Sequence, residues 1–192
     1  MKAEKVGHDE ILPWFAEFWI IEPEPGIRLP AIWIGKKGTA GPITLVPGRD
    51  SSTIERALRA GRQVLAFDLR GAGEIAGGQG SVVNRAWFVG RPWPGMWAMD
   101  LIQAARFCRN RLSSPSVSLD AENAYGWSAL LAGAAAPDLI ASGSVHISWE
   151  SLHADVRARG DQALTDVPGL LERLDIPQLR ALWTGGQVSV KR

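Results

Sequence analysis

The chain has 192 residues, 46% of them apolar and 21% charged, with a net charge of +1, which is the composition of one ordinary globular domain spanning residues 1–192. The balanced charge excludes a basic surface for nucleic acid, and no apolar run is long enough for a membrane span. Cys108 is the only cysteine, so an internal disulfide is excluded and the core alone must hold the fold. The first ten residues lack the apolar centre of a secretory signal, so a cytoplasmic location is expected.

In chain order, Trp14 to Ile21 is aromatic and apolar and is ended by Pro23 and Pro25, so it reads as a strand or short helix leading into a turn. Ala31 to Gly35 is a strand candidate with Lys36-Lys37-Gly38 as the turn after it. Ile43 to Val46 is a buried-strand run stopped by Pro47-Gly48. Ser52-Thr53-Ile54-Glu55 then has the spacing of a capping box and opens a helix to about Ala60. Val64 to Phe67, after Gly61, is nearly all apolar, as a parallel strand covered on both faces requires.

Asp68 to Gly80 is glycine-rich. Gly71-Ala72-Gly73-Glu74-Ile75-Ala76 formally fits a dinucleotide-binding turn, but the glycines that follow cannot easily supply the helix such a turn needs. Nine tryptophans are many for this length, and several lie between Trp87 and Trp97 among prolines and glycines, as filler over a sheet edge or as a pocket lining. Trp97, Leu101, Ala104 and Cys108 recur at helical spacing from about Met96 to Asn110, which turns Cys108 toward the core. Ile140 to Ile147 reads as a strand. Glu150 to Arg159 and Gly169 to Trp183 read as helical, and Gln187 to Val190 as a last strand. Strands alternating with helices predict an α/β fold with a doubly wound, mostly parallel sheet.

Between the helix ending near Asn110 and the strand at Ile140 lies Asp120 to Ala136, and within it Gly126-Trp127-Ser128 followed by small and apolar helix formers. A glycine two residues ahead of a serine, at a strand-to-helix turn, is the layout of a nucleophile elbow. Leu130 stands where the full G-x-S-x-G pattern has its second glycine. Two registers are open. With the strand at Ser118 to Asp120, the turn falls near Asn123 or Ala124 and carries no nucleophile; with Ala124-Tyr125 ending the strand, Ser128 lands in the elbow. The second reads more naturally from Tyr125-Gly126-Trp127-Ser128.

These pieces together resemble an α/β-hydrolase, and within that fold the acetyl xylan esterase and dienelactone hydrolase-like branch. The resemblance rests on Asp68-Leu69-Arg70-Gly71-Ala72-Gly73, on Val89 to Met96 with Asp100, on the elbow-like stretch, and on Val167-Pro168-Gly169-Leu170 to Leu179. It implies hydrolysis of a small-molecule ester of a short acyl group by a serine, an imidazole base and an orienting carboxylate, without metal or organic cofactor. On that reading Ser128 is the nucleophile, and the N–H groups of Ala129 and of Gly48 or Arg49 are the oxyanion donors.

The base is the difficulty. The hydrolase order puts the histidine after the last strand, and this chain has only His8, His146 and His153. His146 lies in a predicted strand. His153, with Glu150 three residues before it, is the better substitute for a base and its carboxylate, although a solvated helix histidine is the commoner fate. The end near Val190 reads as a hydrolase domain lacking its last strand and helix, with an uncovered edge suited to pairing in a homodimer. The alternative to an esterase is therefore a non-catalytic hydrolase-like domain that binds a ligand or partner.

Overall fold

The computed structural model describes residues 1–76, 86, 88–122, 124–147, 150–152, 167, 169–170 and 172–190. His153, the glycine-rich loop beyond Ala76 and most of the 150–159 helical piece lie outside the described residues.

One eight-stranded sheet organises the chain, in the order β1-β2-β3-β5-β4-β6-β7-β8. β1 (Lys2–Ile11), β2 (Trp14–Glu22) and β3 (Leu29–Lys36) form an antiparallel meander, and β3 pairs antiparallel with β5 (Gln63–Phe67). From β5 onward the neighbours are parallel: β4 (Ile43–Pro47), β6 (Val117–Ala121), β7 (Ser142–Ile147) and β8 (Gly186–Val190). The mostly parallel α/β sheet expected from the alternation is the one observed. β1 is an addition. Its polar Lys-Ala-Glu-Lys-Val-Gly-His-Asp-Glu-Ile run carries no strand signal because it is an edge with most side chains exposed, and a register shift between Lys5 and Gly7 interrupts its pairing.

β4 and β5 are buried at every position because both of their faces are covered. On one face α1 (Ser51–Arg59) packs Ala57 against Val46, Val64 and Ala66. Its N-cap is Asp50, whose carboxylate accepts the Thr53 N–H at 2.7 Å, so the cap lies two residues before Ser52, the cap of the predicted capping box. On the other face lie α2 (Trp93–Asn110), α3 (Ala124–Ala135) and α4 (Ile176–Leu182) over the main core. Cys108 is fully buried there.

α4 is held by its cap. Asp175 accepts from the Ile176 N–H, and the side chain of Gln178 returns to the Asp175 N–H at 3.0 Å. Trp183, just past α4, donates its indole N–H to the Ile140 carbonyl at 2.8 Å, and its ring lies so close to Gly133, Gly143 and Gly186 that a Cβ at any of them would strike it. These contacts lock α4 onto α3, β7 and β8. No helix among the described residues is long and apolar enough to cross a membrane.

Candidate functional site

In open α/β sheets ligands bind in the crevice beyond the carboxyl ends of the strands. Here those ends bring together the residues following β4 and β5 with Tyr125 at the start of α3. After β4 the chain turns through Gly48 at φ 75° and Arg49 at φ 55°, both left-handed. The Gly48 N–H donates to the Phe67 carbonyl at 2.9 Å, so it is already committed to the sheet. Arg49 donates from Nε to Asp68 at 3.1 Å, from Nη2 to the other Asp68 oxygen, and from Nη1 to Glu74 at 2.8 Å. Asp68, buried at the end of β5, also accepts the Glu74 N–H at 3.0 Å. Gly73–Ile75 makes only a single 3-10 turn here, not the helix that a dinucleotide site would begin with.

The Asp68-Leu69-Arg70-Gly71 turn is anchored from below. Arg70 donates to Asp100 from its backbone N–H at 3.3 Å, from Nε at 2.9 Å and from Nη2, and also reaches Glu24 at 2.7 Å. Trp97 Nε1 donates to the Arg70 carbonyl at 2.9 Å. Burial pushes the Asp100 carboxyl above its usual value, and the Arg70 guanidinium opposes that shift. The arginine and aspartate that carried part of the family resemblance thus hold the loop in place.

The strand-to-helix turn corrects the favoured register. β6 ends at Ala121 and α3 begins at Ala124, so Ala124-Tyr125 is helix rather than strand end. Ser128 lies inside α3, 1% exposed. Ala129 and Leu130 are fully buried beside it. Ala129 is the sixth residue of α3, where a helical N–H is bonded to the carbonyl four residues back and does not point into a crevice. Leu130 faces the core and crowds no elbow.

The glycine ahead of Ser128 has a packing role. An ideal Cβ on Gly126 would sit 2.0 Å from the His146 carbonyl oxygen, so this position lets α3 lie directly on β7. Counted from the observed end of β6 at Ala121, the second glycine of G-x-S-x-G falls at Tyr125. The Tyr125 ring lies on Gly48: a Cβ there would be 2.2 Å from Tyr125 Cε2. It also packs against Trp97, ring centroids 5.3 Å apart. Burial, then the Asp68 charge, raises the Tyr125 phenol above its usual range.

Of the remaining candidates, Glu150 is exposed beyond β7, next to Ser151 and Leu152, which are fastened to Asp175 by hydrogen bonds of 2.5 and 2.7 Å. Burial thus sets Ser128 in the core and Glu150 on the surface. The pairs that the structure does assemble were not anticipated as a set: His146 on β7 accepts or shares a proton with Ser189 on β8, and its Nε2 lies 4.0 Å from Glu122. The only sequence sign of this was polar residues alternating with apolar ones along both strands.

No protein-family model matches the sequence, and no curated protein resembles it. Solved structures do resemble the fold. A protein from Bacteroides fragilis designated a candidate acetyl xylan esterase superposes with a TM-score of 0.80 at 11% identity, over 100% of this chain and 63% of its own. An acetyl xylan esterase from Paenibacillus sp. R4 gives 0.63 at 13% identity over 95% of this chain and 67% of its own. A cold-adapted esterase from an Arctic intertidal metagenomic library gives 0.60 at 14% identity, covering 98% and 89%. The fold is that of the α/β-hydrolases, and the chain spans less than two thirds of the Bacteroides protein.

Proposed function

We propose that this chain is an α/β-hydrolase-fold domain that works by binding, with its strand-to-helix turn closed to covalent chemistry. The observation that carries this is the Tyr125 ring seated on Gly48, where an elbow serine and its oxyanion loop would face each other. Three further facts support it. Gly48 donates to Phe67 and not toward the crevice, Arg49 is paired with Asp68 and Glu74, and Ser128 is shut inside α3.

The second reading is hydrolysis of short-chain acyl esters, with Ser128 as nucleophile and His153 and Glu150 as its partners. It is favoured by one observation, the likeness of the whole chain to esterase structures. The two readings separate on Ser128→Ala. Removing a buried hydroxyl that takes no part in chemistry leaves any hydrolysis of p-nitrophenyl acetate by the folded protein unchanged. Loss of that hydrolysis in the folded variant overturns the binding reading and restores Ser128 as nucleophile.

A further inference from the structure

Beyond β4 the sheet changes character. Val117, Leu119 and Ala121 on β6 and Val145 and Ile147 on β7 face the core under α3. The residues between them, Ser118, Asp120, Ser144 and His146, are polar and face the opposite side, as alternation along a strand requires. On β8 Ser189 continues that polar face. α1 covers the same side over β4 and β5, and His146 and Ser189 are open to solvent beyond it.

Three side chains on this face stand in a particular order. His146 and Ser189 are register partners on adjacent parallel strands, and the Ser189 hydroxyl is hydrogen-bonded to His146 Nδ1. On the other side of the ring, Nε2 is 4.0 Å from Glu122 Oε1, and Arg56 Nη1 reaches the same carboxylate oxygen at 3.8 Å. A neutral imidazole with its proton on Nε2, facing the carboxylate, leaves the Nδ1 lone pair to accept the serine proton. Hydroxyl, imidazole and carboxylate in sequence are the signature of an activated nucleophile. Strand pairing fixes two of the three members, which is firmer support than a loop would give.

We propose that Ser189 is a nucleophile with His146 as its base and Glu122 as a positioning residue, able to take an acyl group from a small activated ester. Ser189 Oγ forms a bond to the acyl carbon as its proton passes to His146 Nδ1. The carbon–oxygen bond to the alcohol breaks, and the departing oxygen takes the proton from the imidazolium. Water then attacks acyl-Ser189, releasing the acid and restoring the hydroxyl. The open setting suits a small donor whose carbonyl needs no deep pocket. This site is separate from the elbow and adds an acyl-transfer activity to the binding role, so it stands or falls independently of the closed-turn reading.

The test is acetylation of the whole protein by p-nitrophenyl acetate, located by peptide mass mapping, with folding checked by circular dichroism. The expected result is acetyl on Ser189, absent in Ser189→Ala. General-base assistance is worth about 10²–10⁴-fold, so His146→Ala and His146→Gln should each slow acetylation at least about 100-fold. Glu122→Gln should slow it less, with Glu122→Asp recovering part of the loss, which a purely structural carboxylate would not do. No acetyl on Ser189, or equal acetylation in the folded His146 variants, overturns the proposal. Acetyl on Ser128 in place of Ser189 overturns both this proposal and the closed turn.

Discussion

Gly126→Ala tests how α3 meets the sheet. The new methyl carbon would lie 2.0 Å from the His146 carbonyl oxygen, 2.9 Å from its carbon and 3.2 Å from Ile147 Cγ2. A carbon and a carbonyl oxygen normally approach no closer than about 3.3 Å, so helix and strand must separate by more than an ångström. Neither side can yield as a side-chain tip would, because the obstructing atoms are backbone. Overpacking of this kind costs about 1–3 kcal/mol, and contact with rigid backbone places this site at or above the upper end. Alanine recovers about 1 kcal/mol over glycine in a helix interior. The net loss is about 2 kcal/mol, which for a chain of this size lowers Tm by roughly 4–8 °C. Thermal unfolding followed by circular dichroism measures it, with a urea midpoint shift at constant m as the check. An unchanged or higher Tm would show that this face of α3 does not lie on β7, and the register of the turn would then have to be reconsidered.

Asp100→Ala strips the buried Arg70 guanidinium of its main partner and, among the described residues, leaves it Glu24; the expected loss is about 3 kcal/mol in urea unfolding, and a loss under about 1 kcal/mol would contradict the anchoring role. The Ser52 hydroxyl and then Thr53 hold Asp50 below the usual carboxylate range, so the fold favours its ionised form. That contribution is present above the unfolded-state value and is lost as pH falls through the folded one, below about pH 4. Asp50→Ala should therefore flatten the acid limb of the stability profile and cost about 1 kcal/mol near neutrality; an unaltered profile would refute the cap. Burial pushes the Cys108 thiol well up, so a thiol reagent such as dithiobisnitrobenzoate should modify it only on unfolding; rapid reaction of the folded protein would show that the core beneath α2 is open.

The parts of the fold that announce themselves are those whose physics is local. The all-apolar runs at Ile43 to Val46 and Val64 to Phe67 betray two covered faces, and the spacing of Trp97, Leu101, Ala104 and Cys108 betrays one buried helical face. The elbow is the opposite case. Tyr125-Gly126-Trp127-Ser128 suits a strand end entering a turn equally well, and what decides against it is the contact between Gly126 and the His146 carbonyl, twenty residues away in sequence. That contact makes the glycine a packing residue of α3. Tyr125 gives no sequence sign of its role for the same reason, because only the fold lays its ring on Gly48. The polar alternation of β6, β7 and β8 was visible, but which strands are neighbours was not, and the meeting of His146 with Ser189 depends on that order. β1 gives no strand signal because an exposed, charged edge has no apolar face to display.

Reaction of the folded protein with a fluorophosphonate, mapped to individual serines, tests the closed turn between β6 and α3 most directly. No adduct is expected on Ser128 while the protein is folded, since its hydroxyl is buried within α3. A stoichiometric adduct on Ser128 under those conditions would mean that the serine is exposed and activated, and that the chain carries a working elbow after all.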